Sequence, residues 1–245
     1  MLQAGMLKQP NSLPIVIGHN GSSEASSPSG SLDAFRSAID IGAEMIEVDT
    51  RPTRDGTFVS SYAVEIDGQP IAKLSDANLP GSVPPVAEVI ALARDAGVPV
   101  LLDLKDVGYE HEVVELATSI LPQDRFRITT LEDESVAKIS RAYPDVQVAL
   151  NLGRSAPEDP LARVRTRLSE LFPLARARAC GARFLTVNYR HAALGVVRQA
   201  DRAGYPVFVW TVDDPGRLAR WLADKRIEGV ITNRPTTAMR IKSTL

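Results

Sequence analysis

A regular alternation of short apolar segments and helical patterns constrains the fold of this 245-residue chain most strongly. Eight segments rich in Val, Ile and Leu predict strands at residues 15–18, 45–49, 98–105, 125–130, 146–150, 183–187, 206–212 and 229–232. Helical spacing between them predicts helices at 32–41, 86–96, 110–121, 134–142, 161–179, 191–203 and 215–224, with a short helix after Arg234. Continuous apolar strands that alternate with helices are typical of parallel sheets buried on both faces. The pattern therefore predicts an α/β fold, a (β/α)8 TIM barrel, with an open doubly wound sheet as the alternative.

Length and composition set the class of protein. A chain of 245 residues can bury one large α/β core, so we predict one domain over residues 1–245. Lys plus Arg number 28 and Asp plus Glu 30, a balance that argues against nucleic acid as the main partner. The single Cys180 and the lack of an apolar leader in residues 1–14 predict a reduced, cytoplasmic setting. No apolar segment approaches the roughly 20 residues that cross a bilayer, so we expect no transmembrane segment.

Polar side chains stand at the ends of three otherwise apolar predicted strands. They are His19 and Asn20 after the first strand, Glu47 and Asp49 on the second, and Asp103 and Lys105 on the third. A spacing of two puts both side chains of a pair on one face of a strand, where carboxylates are costly to bury without a cation. Oxygen ligands favour Mg²⁺ or Ca²⁺ over zinc. The pattern predicts a divalent metal site at the rim of the barrel.

Two other interpretations of these residues remain open. The carboxylates and Lys105 can form structural salt bridges at the barrel mouth. Lys105 can also be the Schiff-base nucleophile of a barrel aldolase, because neighbours can lower the pKa of a strand-end lysine. Adjacent carboxylates oppose this second interpretation because they favour the charged amine.

The order of motifs along the chain adds a family resemblance. A strand that ends in His19 is followed by a Ser-rich loop and then by LDAFRSAIDIGAEMIEVD, TRDG, LLDLK, VFVWTVDD and GVITNRP. From about Ile15 to Pro235 this order resembles the glycerophosphodiester phosphodiesterase family, in which the first strand ends in His-Arg, the second carries Glu-x-Asp and the third Glu-x-Lys. The resemblance implies a PLC-like phosphodiesterase barrel, a small phosphodiester substrate and a divalent cation, Mg²⁺ or Ca²⁺, as cofactor.

The same resemblance implies roles for individual residues. Glu47, Asp49 and Asp103 would bind the metal, with Asp103 in place of the family's more usual Glu. Lys105 would contact the phosphoryl oxygens. His19 would be one of two catalytic histidines.

Other positions concern the substrate or depart from the family pattern. Trp210 would form a wall of the substrate site, with ordinary core packing as the alternative. Asn20 stands where the family has a phosphate-binding Arg, and we expect it to face the substrate. Ser29 stands near the family's Glu, and Tyr62, with Ala63, stands where a second His-Asp would follow TRDG. These changes remove the positive charge of a phosphate-binding Arg and the acid–base group of a second His. Tyr62 therefore becomes a candidate proton donor.

The remaining histidines leave the proton donor open. His111 and His191 are predicted at the starts of helices as solvated residues, with His111 as an alternative catalytic group. We expect a metal-dependent phosphodiester hydrolase with His19 as general base. Loss of one acid–base group typically costs about 10²- to 10⁴-fold in rate. Two alternatives therefore stay open: a lyase that forms a cyclic phosphate, and a catalytically impaired barrel that binds a phosphorylated ligand.

Overall fold

Eight parallel strands close into a barrel in the computed structural model, which describes residues 12–22, 24, 27–154 and 158–245. The strands of the described chain are β1 (Ile15–His19), β2 (Met45–Pro52), β3 (Phe58–Ser60), β4 (Glu65–Ile66), β5 (Gln69–Pro70), β6 (Val100–Leu104), β7 (Phe126–Thr130), β8 (Gln147–Leu152), β9 (Phe184–Asn188), β10 (Val207–Trp210) and β11 (Gly229–Thr232). The barrel runs β1, β2, β6, β7, β8, β9, β10, β11, and β11 pairs with β1 to close it. The predicted (β/α)8 barrel is confirmed, and the open sheet is excluded.

Helices cover the outside of the barrel. They are α1 (Leu32–Asp40), α2 (Val86–Asp95), α3 (Glu110–Ile120), α4 (Asp133–Ala142), α5 (Pro160–Leu171), α6 (Leu174–Cys180), α7 (Tyr189–His191), α8 (Val197–Arg202), α9 (Pro215–Leu222) and α10 (Pro235–Lys242). A single helix over 161–179 is a wrong prediction. Pro173 has no N–H and restricts the residue before it, so Phe172 ends α5 with φ −125° and ψ 63°. The predicted helix at 191–203 is likewise interrupted at Gly195, which has φ 106°.

Short strands that the sequence pattern did not predict shape the loop after β2. β2 continues to Pro52, past the predicted end at residue 49, and its last residues pair antiparallel with β3. β4 and β5 form a small antiparallel pair further along the same loop. The pairing with β3 holds the start of this loop beside the barrel mouth.

Alternation along the strands divides the barrel interior into an apolar base and a polar mouth. Inward-facing apolar side chains form a separate cluster from the outer core, made of Ile15, Ile17, Met45, Leu101, Ala149, Phe184, Phe208 and Ile231. Arg127 lies among them, its Nη2 2.9 Å from Glu228 Oε1 and its guanidinium 5.1 Å from the ring centre of Phe184. Because these side chains fill the base, the room for a ligand is at the carboxyl ends of the strands.

Among the described residues, no helix combines the length and the apolar composition that crossing a membrane requires.

Candidate active site

The register of three neighbouring strands brings the predicted polar residues together at the mouth. His19 on β1 is level with Glu47 on β2, and Asp49 on β2 is level with Asp103 on β6. Lys105 follows β6 directly. Since inward-facing residues alternate along a strand, all of these side chains belong to the inner face. As the spacing of two predicts, Glu47 and Asp49 lie on one face of β2, and Asp103 and Lys105 share the corresponding face of β6 and the residue after it.

A lysine lies between two of the carboxylates. Lys105 Nζ is 2.5 Å from Asp49 Oδ1 and also pairs with Asp103 Oδ2. The side chains of Asp49 and Asp103 are 0% and 9% exposed, so these ion pairs are largely shielded from solvent. Removal of the ammonium would leave two buried negative charges without a partner.

Asn20 connects the carboxylates of β2 to the end of β1. Its Nδ2 donates to Asp49 Oδ2 at 2.5 Å, and its Oδ1 accepts from the Asp49 backbone N–H at 3.1 Å. Its own backbone N–H donates to Glu47 Oε2 at 3.1 Å. Asn20 is 5% exposed and has φ 48°, a left-handed conformation that Asn tolerates better than most residues. The side chain therefore fixes the position of Asp49.

A chain of hydrogen bonds orients His19. Asn233 Nδ2 donates to Asp213 Oδ2 at 2.8 Å, so the Asn233 carbonyl oxygen faces the histidine. His19 Nδ1 lies 2.7 Å from that oxygen, which can only accept, and Nδ1 therefore carries the proton. His19 Nε2 lies 3.9 Å from Glu47 Oε2 and faces the cluster. The sequence interpretation did not single out Asn233 or Asp213.

Burial and mutual charge perturb the ionisation of the cluster. Burial raises the pKa of Glu47 well above its usual range, and the charge of Asp49 adds to the rise. Burial also raises the pKa of Asp103, although Lys105 partly opposes it. For Asp49, burial raises the pKa, but Lys105, His19 and Asn20 together outweigh burial and hold the pKa below its usual value. Burial disfavours the charged Lys105, yet the carboxylates raise its pKa above the ordinary value, which argues against a neutral Schiff-base amine.

The cluster has the donor set of a divalent cation site. One ligand atom each from His19, Glu47 and Asp49 lies within 4.8 Å of the others. Asp49 Oδ1 is buried, and the Lys105 ammonium lies 2.5 Å from it. Buried carboxylate oxygens that already attract a cationic group have the donor chemistry of a cation site. Asp103, predicted as a third carboxylate ligand, pairs with Lys105 as Asp49 does and lies outside this group of three, so its role as a ligand stays a prediction.

A cavity of about 370 Å³ opens directly over the cluster. Its polar and charged lining includes His19, Glu47, Tyr62, Asp103, Lys105, Thr129, Glu132, Asn151, Thr186 and Thr211. Trp210, Leu101, Leu104 and Ile231 supply the apolar surface. A volume of this size suits a small ligand, and the mixture of carboxylates and ammonium suits a cation together with an anionic group.

Trp210 is held as a wall of this cavity by two residues of β8 and its following turn. Its Nε1 donates to Asn151 Oδ1 at 2.8 Å. A Cβ at Gly153, whose φ is 150°, would lie 2.5 Å from the indole, so only glycine leaves room for the ring. Asn151 and Gly153 were not expected from the sequence, because their contacts arise only when β8 and β10 close around the barrel.

Tyr62 reaches the mouth from the loop after β3. Its side chain is 73% exposed and lines the cavity, and its ring centre is 5.3 Å from Lys105 Nζ. Arg51, which the sequence interpretation did not single out, donates to the Tyr62 carbonyl at 3.2 Å and pairs with Asp106 at 2.6 Å. Arg51 thereby anchors the segment that carries Tyr62.

The two other histidines do not line the cavity. His111 is exposed on α3, with Nδ1 3.2 Å from the Tyr143 hydroxyl. His191 Nδ1 lies 3.9 Å from Glu170. Neither position brings a histidine to His19 as a second catalytic group.

The fold and site define a class: a (β/α)8 barrel enzyme whose mouth combines buried carboxylates, a lysine and an oriented histidine. Comparison with known proteins makes this more specific. The glycerophosphoryl diester phosphodiesterase family profile matches residues 19–61 and 70–237. The chain belongs to this family, whose members are phosphoric diester hydrolases.

Individual relatives agree with that assignment. A glycerophosphodiester phosphodiesterase of Caldanaerobacter subterraneus subsp. tengcongensis is 22% identical over 251 residues, which cover 93% of this chain and 97% of the relative. A solved glycerophosphodiester phosphodiesterase from Parabacteroides distasonis superposes with a TM-score of 0.79 at 18% identity, over 95% of this chain and 98% of that one. A phosphodiesterase from Oleispira antarctica, solved in complex with the product sn-glycerol-3-phosphate, has a TM-score of 0.77 at 22% identity and coverages of 94% and 97%.

Proposed function

We propose that this protein hydrolyses a glycerophosphodiester or a related phosphodiester with the help of a divalent cation. The observation that supports this most is the cavity at the barrel mouth, where Glu47, Asp103, Lys105 and His19 converge in a member of this family. The Oleispira neighbour holds sn-glycerol-3-phosphate as its product. A diester of glycerol phosphate is therefore the substrate class we assign to this chain.

Glu47, Asp49 and Asp103 are the proposed metal ligands, and His19 Nε2 faces the same cluster. Their hard oxygen donors favour Mg²⁺ or Ca²⁺. When bound, such a cation supplies Lewis-acid polarisation of the phosphoryl oxygens. Two hydrogen bonds from the Asn20 side chain hold Asp49 in position to bind the cation. A contact between Asn20 and the substrate stays a prediction.

The remaining roles belong to side chains of the cavity. His19, with its proton on Nδ1 toward Asn233, takes a proton from water at Nε2 as the water oxygen attacks phosphorus. The Lys105 ammonium offsets the negative charge that grows on the phosphoryl oxygens. As the phosphorus–alkoxide bond breaks, Tyr62 donates its phenolic proton to the leaving oxygen. Trp210 bounds the space for the alcohol.

Phosphorus NMR of a panel of glycerophosphodiesters, with Mg²⁺, Ca²⁺ or EDTA, tests this proposal. We expect a phosphomonoester to form only with the cation, and expect the Glu47→Gln variant to be inactive. Asp33→Asn, which removes an exposed carboxylate on α1, is the charge control and should retain full activity. A cyclic phosphate as the final product would identify a lyase instead. No turnover with the cation still bound would identify a binder of phosphorylated ligands.

We further propose that residues 1–245 form one domain and that the protein acts in the cytoplasm. The first point is supported by a family match that runs from residue 19 to residue 237 with a single gap. The second is supported by Cys180, a buried free thiol that is compatible with a reducing compartment.

A further inference from the structure

Helix α5 carries most of its large apolar side chains on the solvent side. Leu161, Val164 and Leu168 follow the i, i+3, i+7 spacing of a helical stripe, and they are 79%, 57% and 52% exposed. The residue that α5 buries is Glu170, whose side chain is 0% exposed. Leu171, the last residue of the helix, packs against the core, but Leu161, Val164 and Leu168 face solvent. Most of the apolar surface of α5 is therefore outward, the reverse of a helix that packs against a barrel.

Ionic contacts fix this orientation of the helix. Arg176 Nη1 on α6 donates to Glu170 Oε1 at 3.2 Å. The other carboxylate oxygen of Glu170 faces His191 Nδ1 at 3.9 Å. Rotation of α5 to bury the stripe would break the Glu170–Arg176 pair and expose its partners. The outward direction of the apolar stripe is thus a stable property of the fold.

Neighbouring side chains extend the stripe into a patch. Phe172, at the end of α5, is 63% exposed, and Leu194 is 70% exposed on the Ala192–Val196 turn against which α5 packs. We call Leu161, Val164, Leu168, Phe172 and Leu194 the α5 face. Five of the nine large hydrophobic residues that are exposed in the described chain belong to it. Such clustering, unlike scattered single residues, marks an interaction surface.

Basic side chains are interleaved with the α5 face. Exposed Arg163, Arg165 and Arg167 alternate along α5, and Arg198 is exposed just beyond Leu194. The acidic Glu170 of the same helix is directed inward and paired, so it does not offset this charge at the surface. Acidic residues at the amino end of α5, Glu158 and Asp159, precede the stripe. An apolar stripe bordered by arginines has the composition of a helix that lies in a bilayer interface.

We propose that the α5 face docks on an anionic lipid bilayer, with its apolar side chains among the headgroups and its arginines on lipid phosphates. A second copy of the chain, joined through the same face, would bring two arginine-bordered surfaces of like charge together, whereas an anionic surface neutralises Arg165 and Arg167. α5 and the turn with Leu194 both follow strands, β8 and β9, at their carboxyl ends. Docking thus brings lipid close to the rim that carries the cavity.

Vesicle cosedimentation of the full chain tests the proposal, with phosphatidylcholine vesicles that contain or lack phosphatidylglycerol as probes. We expect binding to the anionic vesicles and loss of more than tenfold in affinity for the double variant Leu161→Glu, Leu168→Glu. Each of Arg165→Gln and Arg167→Gln should weaken binding about fivefold, the equivalent of about 1 kcal/mol per basic residue. Leu245→Glu is the matched control, because Leu245 is exposed but does not belong to the α5 face. This variant should bind the vesicles as the wild type does.

Two measurements separate this proposal from the catalytic one. Hydrolysis of a water-soluble diester should be the same in wild type and in the Leu161→Glu, Leu168→Glu variant, because the α5 face does not line the cavity. Sedimentation velocity should give the same species for both proteins. Equal vesicle binding by wild type and this variant, or a wild-type dimer that the variant converts to monomer, would overturn the proposal.

Discussion

The carboxylate cluster predicts a large stabilisation of the protein by a divalent cation. Glu47, Asp49 and Asp103 are buried near the ammonium of Lys105, so three carboxyl groups share that positive charge in a poorly solvated site. A cation that binds only the folded state at a hundredfold excess over its Kd adds about 2.7 kcal/mol to the free energy of unfolding. For a chain of this size, each kcal/mol raises Tm by roughly 2–4 °C, which gives about 5–10 °C.

Differential scanning calorimetry of EDTA-treated protein, with Mg²⁺ or Ca²⁺ added back, measures this shift. Glu47→Gln and Asp49→Asn should lose it. Glu170→Gln removes a carboxylate that is equally buried but lies outside the cavity, so it should keep the shift even if its starting Tm is lower. Without the cation, Glu47→Gln should be at least as stable as wild type, because burial and the charge of Asp49 disfavour the ionised Glu47.

An equal cation-induced rise in Tm for wild type and Glu47→Gln would refute this reasoning, since the cation would then bind elsewhere. A Glu47→Gln variant that is several kcal/mol less stable in EDTA would also contradict it. Glu47 would then be a structural residue.

Three further predictions follow from other contacts. Lys105→Met should lower the free energy of unfolding in EDTA by about 3–5 kcal/mol, measured with urea, and added cation should restore part of the loss. Gly153→Ala places a Cβ 2.5 Å from the Trp210 indole, so KM for the diester should rise severalfold while the cation-induced Tm shift is unchanged. Hydrogen bonds from Arg176 lower the pKa of Asp133, so the stability they provide is present above the ordinary Asp pKa of about 3.9 and is lost as pH falls through the lower folded value. Asp133→Asn should therefore flatten the acid limb of the stability–pH curve, and an unchanged limb would contradict the assignment.

Most of the barrel could be predicted from the sequence because its strands are continuous apolar segments separated by amphipathic helices. The errors occurred where local pattern and chain geometry conflict. Apolar periodicity continues across residues 161–179, yet Pro173 ends the helix there. β3, β4 and β5 are too short to have a pattern of their own, and they form only because the loop after β2 folds back on itself.

Part of the site could be predicted for a similar reason. Residues two apart on one strand, such as Glu47 and Asp49, share a face whatever the rest of the chain does. Asn233 could not be assigned a role, because it reaches His19 across 214 residues of sequence only when β11 closes on β1. Likewise, the spacing of Leu161, Val164 and Leu168 predicts an apolar face but not whether the barrel covers it. The inward Glu170 decides that question in the folded chain.

Initial rates of glycerophosphodiester hydrolysis by wild type and Asp49→Asn, each with saturating Mg²⁺ or Ca²⁺ and again with EDTA, test the central claim most directly. Asp49 is fully buried, accepts a hydrogen bond from Asn20 and forms an ion pair with Lys105. Its substitution should therefore change the proposed cation site and leave the protein surface unchanged. We predict cation-dependent formation of a phosphomonoester by wild type and a loss of at least a hundredfold in Asp49→Asn. Turnover that persists in EDTA, or an Asp49→Asn variant as active as wild type, would contradict the account.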